Sequence, residues 1–96
     1  MSKPVVRLGD MCSGHGCYPS RANDEASNNV FVNGKGVHRF GDHWTTHCCP
    51  PPCHDGVAST GSSSVFVNGK PVCREGDKVS CGSTMKQGSP NVFVGD

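Results

Sequence analysis

The sequence predicts a small, loop-rich, all-β fold: three β-hairpin repeats packed with pseudo-threefold symmetry into a cone, stapled by a metal at its apex. Three observations carry this prediction. The composition is hostile to helix, one hairpin motif recurs three times, and each repeat places a histidine or cysteine at a matching offset. At 96 residues the chain makes one domain, 1–96, with little volume for an apolar core. Its apolar set is twelve Val, four Phe, a single Leu (Leu8) and no Ile, diluted by 13 Gly and 7 Pro, which disfavours helix. No apolar run approaches the roughly 18 residues of a membrane span. No charged-then-apolar start marks a signal peptide, so conventional secretion is not expected. Nine Lys+Arg against eight Asp+Glu, without a basic run, leave no nucleic-acid footprint. Seven cysteines, crowded as Cys12/Cys17 and Cys48/Cys49/Cys53 and mixed with five histidines, fit a disulfide scaffold badly. Metal ligation is the better reading and reduced spectator thiols the plainer one. A core this small needs such a staple.

The repeat is read directly. Val30-Phe31-Val32-Asn33-Gly34-Lys35 and Val65-Phe66-Val67-Asn68-Gly69-Lys70 are near-identical, and Val92-Phe93-Val94-Gly95-Asp96 is a third, truncated copy. Each complete copy is followed by an element ending in Arg-x-Gly-Asp: Gly36 to Asp42 and Pro71 to Asp77. The same element, Pro4 to Asp10, opens the chain, so the N-terminus is expected to complete a hairpin with Val92 to Val94. The units are therefore about 3–34, 35–69 and 70–96. Val-Phe-Val alternates faces of a strand, Asn-Gly after it accepts positive φ and turns the hairpin, and Gly-Asp marks the turn out of the sheet. Pro4 and Pro71 stand near strand starts, where a missing N–H is tolerated. Hairpins this short bury their faces only by packing together about an axis.

The loops Met11–Asn29, His43–Ser64 and Lys78–Asn91 all leave the same strand end and should converge. His15 lies five residues after Asp10, His47 five after Asp42, and Cys81 four after Asp77, while His54 follows the stiff Pro50-Pro51-Pro52. Three imidazoles and one thiolate suit tetrahedral Zn²⁺, with Fe²⁺ as the alternative ion. His43, beside Asp42, is a rival for the place of His47. A Cys-rich site, or a disulfide of the Cys12–Cys17 type, is a second alternative, and histidines merely solvated in loops a third. His38 and Cys73 fall at strand positions equivalent to Val6 and are expected in the sheet. Asp10, Asp42 and Asp77 belong to the repeated turn, which leaves Asp55 as the other acid near the ligands. No catalytic motif accompanies them, so no enzyme is expected.

The alternation of Pro4-Val5-Val6-Arg7, Gly36-Val37-His38-Arg39 and Pro71-Val72-Cys73-Arg74 with Val-Phe-Val-Asn-Gly-Lys resembles the PAAR-repeat proteins, the spike tips of type VI secretion systems and contractile phage tails. The Ala-Ala of the family's name is absent from every copy, and the second copy also lacks the Pro. The resemblance implies a cone with a zinc held near its apex by three His and one Cys, roles that fall on His15, His47, His54 and Cys81. It implies a broad base that docks on a trimeric β-helical spike, VgrG-like or a phage central spike. Val30, Val32, Val65, Val67, Val92 and Val94 are the candidate base contacts, where strand addition would extend the partner's β-structure. Such a protein is made in the bacterial cytoplasm, sits at the tip of the spike and is driven into the target cell envelope, meeting the membrane only transiently. The repeats occupy the whole chain, so a bare tip is expected, one that passes any effector as a separate protein. A small zinc enzyme and a disulfide-rich toxin are the remaining classes.

Overall fold

Each Val-Phe-Val segment forms a two-residue strand; the first two pair with the residues just beyond their Asn-Gly turns, and the third pairs with the start of the chain. The computed structural model describes residues 2–50 and 52–95; Pro51 of the proline run and Asp96 of the third copy lie outside the described residues. In chain order the strands are β1 (Lys3–Pro4), β2 (Phe31–Val32), β3 (Lys35–Gly36), β4 (His43–Cys48), β5 (Cys53–Val57), β6 (Phe66–Val67), β7 (Lys70–Pro71) and β8 (Phe93–Val94). The pairs β2–β3, β6–β7 and β1–β8 are antiparallel and equivalent, with Phe31 opposite Gly36, Phe66 opposite Pro71 and Phe93 opposite Pro4. The two ends of the chain thus make one hairpin between them. Asn33 and Asn68 take φ of 56° and 54°, and the following Gly34 and Gly69 both 76°, the doubly left-handed turn that Asn-Gly favours. No helix forms among the described residues, so none crosses a membrane.

The threefold axis is drawn by backbone hydrogen bonds. Val6 N donates to Cys73 O, Cys73 N to His38 O and His38 N to Val6 O, each at 3.0 Å, closing a ring among the three Arg-bearing segments. Alternation then sorts their side chains. Val5, Val37 and Val72 face one end, where Val32, Val65, Val67, Val92 and Val94 pack against them. Val6 and Cys73 face the other way, into a core of Cys12, Trp44, Ala58, Val79 and Met85. His38, fully buried, lies edge-on to Trp44. The body measures 38 × 26 × 21 Å.

Each Arg-x-Gly-Asp turn is locked by a buried ion pair. Arg7, Arg39 and Arg74 reach Asp10, Asp42 and Asp77 with Nε–Oδ2 distances of 2.9, 2.8 and 3.1 Å. The same carboxylates accept the arginines' own backbone N–H at 2.8, 2.9 and 2.6 Å. Their pairing with arginine, as well as their place in the turn, occupies these three acids.

The missing Pro of the second copy has a steric cause. A Cβ on Gly36 would collide with the carbonyl oxygen of Ser27 and come within 3.2 Å of Ala26 Cβ. In the other two units the large residue is on the strand and the loop carries glycine: Gly61 lies against Pro71 and Gly88 against Pro4, each so close that an added Cβ would stand 2.9 Å from the proline ring.

Candidate metal centre

The second loop, expected from its prolines to be a stiffened loop, is itself a hairpin, β4 paired with β5. The register sets His47 opposite His54 and Cys48 opposite Cys53, with a bulge between Trp44 and His47. Positions three apart on a regular strand face opposite sides. The bulge lets Trp44 and His47, 0 and 4% exposed, both point inward. His15 comes from the first loop on a tight turn in which it exchanges backbone hydrogen bonds with Tyr18 at 3.0 and 2.8 Å. Cys81 sits in the third loop on a turn closed by Val79 and Gly82.

The ligand atoms of His15, His47, His54 and Cys81 all lie within 4.8 Å of one another. His54 Nε2 is 3.0 Å from His15 Nε2 and 2.8 Å from His47 Nε2, and Cys81 Sγ is 3.8 Å from His47 Nε2. His47 Nδ1 lies 2.8 Å from Pro19 O; a carbonyl only accepts, so Nδ1 carries the proton and Nε2 turns a lone pair to the cluster. Burial, then the rings of His47 and His15, holds His54 below the ordinary imidazole range and favours the neutral, ligating form. At Cys81 burial opposes ionisation, but hydrogen bonds from the Ser83 backbone and Arg21 outweigh it and bring the thiol below its usual pKa. Four donors around one zinc would set nitrogens about 3.3 Å apart and nitrogen about 3.6 Å from sulfur. The three separations lie within about 0.5 Å of that spacing, and every pair of ligand atoms lies within 4.8 Å. Tyr18 stacks on His15 and His54, its ring centroid 4.7 and 4.1 Å from theirs, and lies tilted against His47 at 4.8 Å.

His43 takes no part. It bridges Asp24 and Asp55, with Nδ1 2.6 Å from Asp24 and Nε2 2.8 Å from Asp55, and the Asp55 hydrogen bond, then the Asp24 one, raises its pKa. His38 donates from Nδ1 to Glu25 O at 2.7 Å, and burial keeps it neutral. The cysteines correct the sequence reading: two disulfides are present. Cys17–Cys49 ties the first loop to the second and Cys48–Cys53 closes the β4–β5 hairpin, while Cys12, Cys73 and Cys81 are free. Cys12 does not pair with Cys17 because its side chain is buried in the core while Cys17 is exposed. Cys48 and Cys53 bracketing Cys49 and the proline run was the signal available for the hairpin; nothing in the sequence paired Cys17 with Cys49.

A family model for the PAAR motif matches residues 23–87, taking in β2 to β7 and three of the four clustered residues. The chain belongs to the PAAR-motif family. A search of curated proteins gives no match. The PAAR motif points to a structural spike-tip role in contractile injection systems, and this PAAR-motif protein carries a His/Cys cluster suited to a metal ion. Its opposite end is a shallow apolar concavity of about 160 Å³, rimmed by Val30, Val32, Val65, Val67, Val92 and Val94 and floored by Val5, Val37 and Val72. Phe31, Phe66 and Phe93 stand exposed at equivalent positions of the three hairpins.

Proposed function

We propose that this chain caps and sharpens the trimeric β-helical spike of a contractile injection machine, a phage tail or a type VI system, and folds its apex around one zinc ion. His15, His47, His54 and Cys81 hold the metal, which supplies a structural cross-link and no open coordination position. The observation that carries this reading is the pairing of two unlike ends on one pseudo-threefold body. Four side chains able to ligate a metal, drawn from three loops, meet at one end, and a threefold valine concavity occupies the other. A single chain with three equivalent hairpins can set one against each subunit of a trimer. The metal then resists fraying of the loops that lead into the target envelope, and its binding free energy becomes folding free energy for a thin core.

Metal content by mass spectrometry tests the apex. About one zinc per chain is expected, lost or much weakened in His15→Ala, His47→Ala, His54→Ala and Cys81→Ala. Metal indifferent to those four changes would refute the ligand set, and iron in its place would change the ion alone.

The disulfides Cys17–Cys49 and Cys48–Cys53 favour one second reading, a disulfide-stabilised secreted toxin. A chelator and a reductant separate the two. Under the tip reading the chelator unfolds the apex; under the toxin reading only the reductant does damage.

A further inference from the structure

Arg21 is 7% exposed, and its guanidinium reaches all three loops that deliver the clustered residues. Its Nε donates to Thr45 O at 2.7 Å in the second loop. One terminal nitrogen donates to Cys12 Sγ at 3.1 Å in the first loop and to Ser83 Oγ at 3.4 Å in the third. The other donates to Cys81 Sγ at 3.2 Å, and the plane lies over the Trp44 ring, 5.5 Å from its centroid. Among the described residues no carboxylate accepts from it. A guanidinium withdrawn from water needs compensating charge, and here the hydrogen-bonded groups able to carry any are sulfurs.

We propose that Arg21 is the positioning residue of the metal centre: it fixes the Cys81 sulfur toward the three imidazoles and balances its charge, and so sets how tightly the metal is held and how strongly the sulfur donates to it. The inference rests on the metal reading of the apex. Geometry separates this role from simple packing, because the two terminal nitrogens go to two different sulfurs while Nε is spent on a backbone carbonyl. The fork aims one donor at the ligand and uses the rest to hold itself in place. A hydrogen bond to a ligating sulfur draws electron density from the metal–sulfur bond, and groups that hold metal ligands typically cost about 10–100-fold in affinity when removed. Lysine keeps the charge and gives up the fork.

The test compares wild type, Arg21→Met, Arg21→Lys, Cys81→Ser and the double variant Arg21→Met/Cys81→Ser. Zinc affinity is read by competition with a chelating dye, and Co²⁺ serves as the spectroscopic probe through its thiolate charge-transfer band. Arg21→Met should weaken zinc by about 10–100-fold and move the cobalt band, with Arg21→Lys between it and wild type. In the Cys81→Ser background the same Arg21→Met change should have little further effect. An unmoved band with unchanged affinity, or an equal loss in the Cys81→Ser background, would reduce Arg21 to a packing strut. Should Arg21→Met fail to fold, Arg21→Lys decides by whether its cobalt band moves. Wild type that binds neither ion would overturn the metal reading itself, which is a different result from wild type that binds while the variants behave alike.

Discussion

At the residue scale, the repeated aspartate shows how one side chain serves several tasks. Asp42 is fully buried, accepts two hydrogen bonds from the Arg39 side chain and one from the Arg39 backbone, and caps its own turn. Asp42→Asn keeps the shape and removes the charge, leaving a buried guanidinium without its counter-ion. A loss of about 3–5 kcal/mol is expected in urea unfolding. A loss below about 1 kcal/mol would place the pair with exposed ion pairs. His43 obeys a different rule because it is a third exposed. Its pKa is raised from 6.5 and that of Asp55 is lowered by the same contact. The stabilisation from His43 is therefore fully present below 6.5 and disappears as pH rises through its folded value. That from Asp55 is lost as pH falls through its own depressed value, so the clamp acts between the two. An NMR titration should find the His43 imidazole above the ordinary midpoint, and that midpoint should move down toward the ordinary value in Asp55→Asn. A His43 midpoint at or below 6.5 would show that the clamp does not form in solution.

At the element scale, the three hairpins share backbone and differ where loop meets strand. Ala26 with Gly36, Gly61 with Pro71 and Gly88 with Pro4 are alternative divisions of the same space. Gly36→Pro would give the second repeat its family residue, yet it should destabilise the protein by about 1–3 kcal/mol through overpacking. Ala26→Gly in the same chain should recover part of that loss, seen as a partial return of Tm. No recovery would mean that the Ser27 carbonyl, and not the Ala26 methyl, sets the limit. The β4–β5 hairpin was the element the sequence concealed. Its strands do not repeat the Val-Phe-Val pattern, and the bulge breaks the alternation by which a strand is recognised.

On the scale of the whole molecule, the two ends are chemically unlike. Val67 sits half-buried on the base rim, while His47 and Cys81 belong to the other end. Val67→Asp should abolish co-purification with the β-helical tip fragment of a trimeric spike and leave metal content unchanged. Cys81→Ala should do the reverse. Loss of both properties in either variant would show that the ends are coupled through the fold.

The repeat, the turn chemistry and the threefold plan are legible in the chain, because these follow from local rules. Asn-Gly accepts positive φ, Val-Phe-Val alternates, and near-equal offsets in symmetric units become proximity in space. That last rule nominates His15, His47 and Cys81, while His54 stands outside it and follows the proline run. Which thiols pair, the turn of His43 to two aspartates and the reach of Arg21 to the cluster emerge in the folded molecule alone. These outcomes depend on distances between loops of unequal length, whose packing no periodicity encodes. Cys17 meets Cys49 across 32 residues, and Arg21 meets Cys81 across 60, only after the three hairpins have closed around the axis.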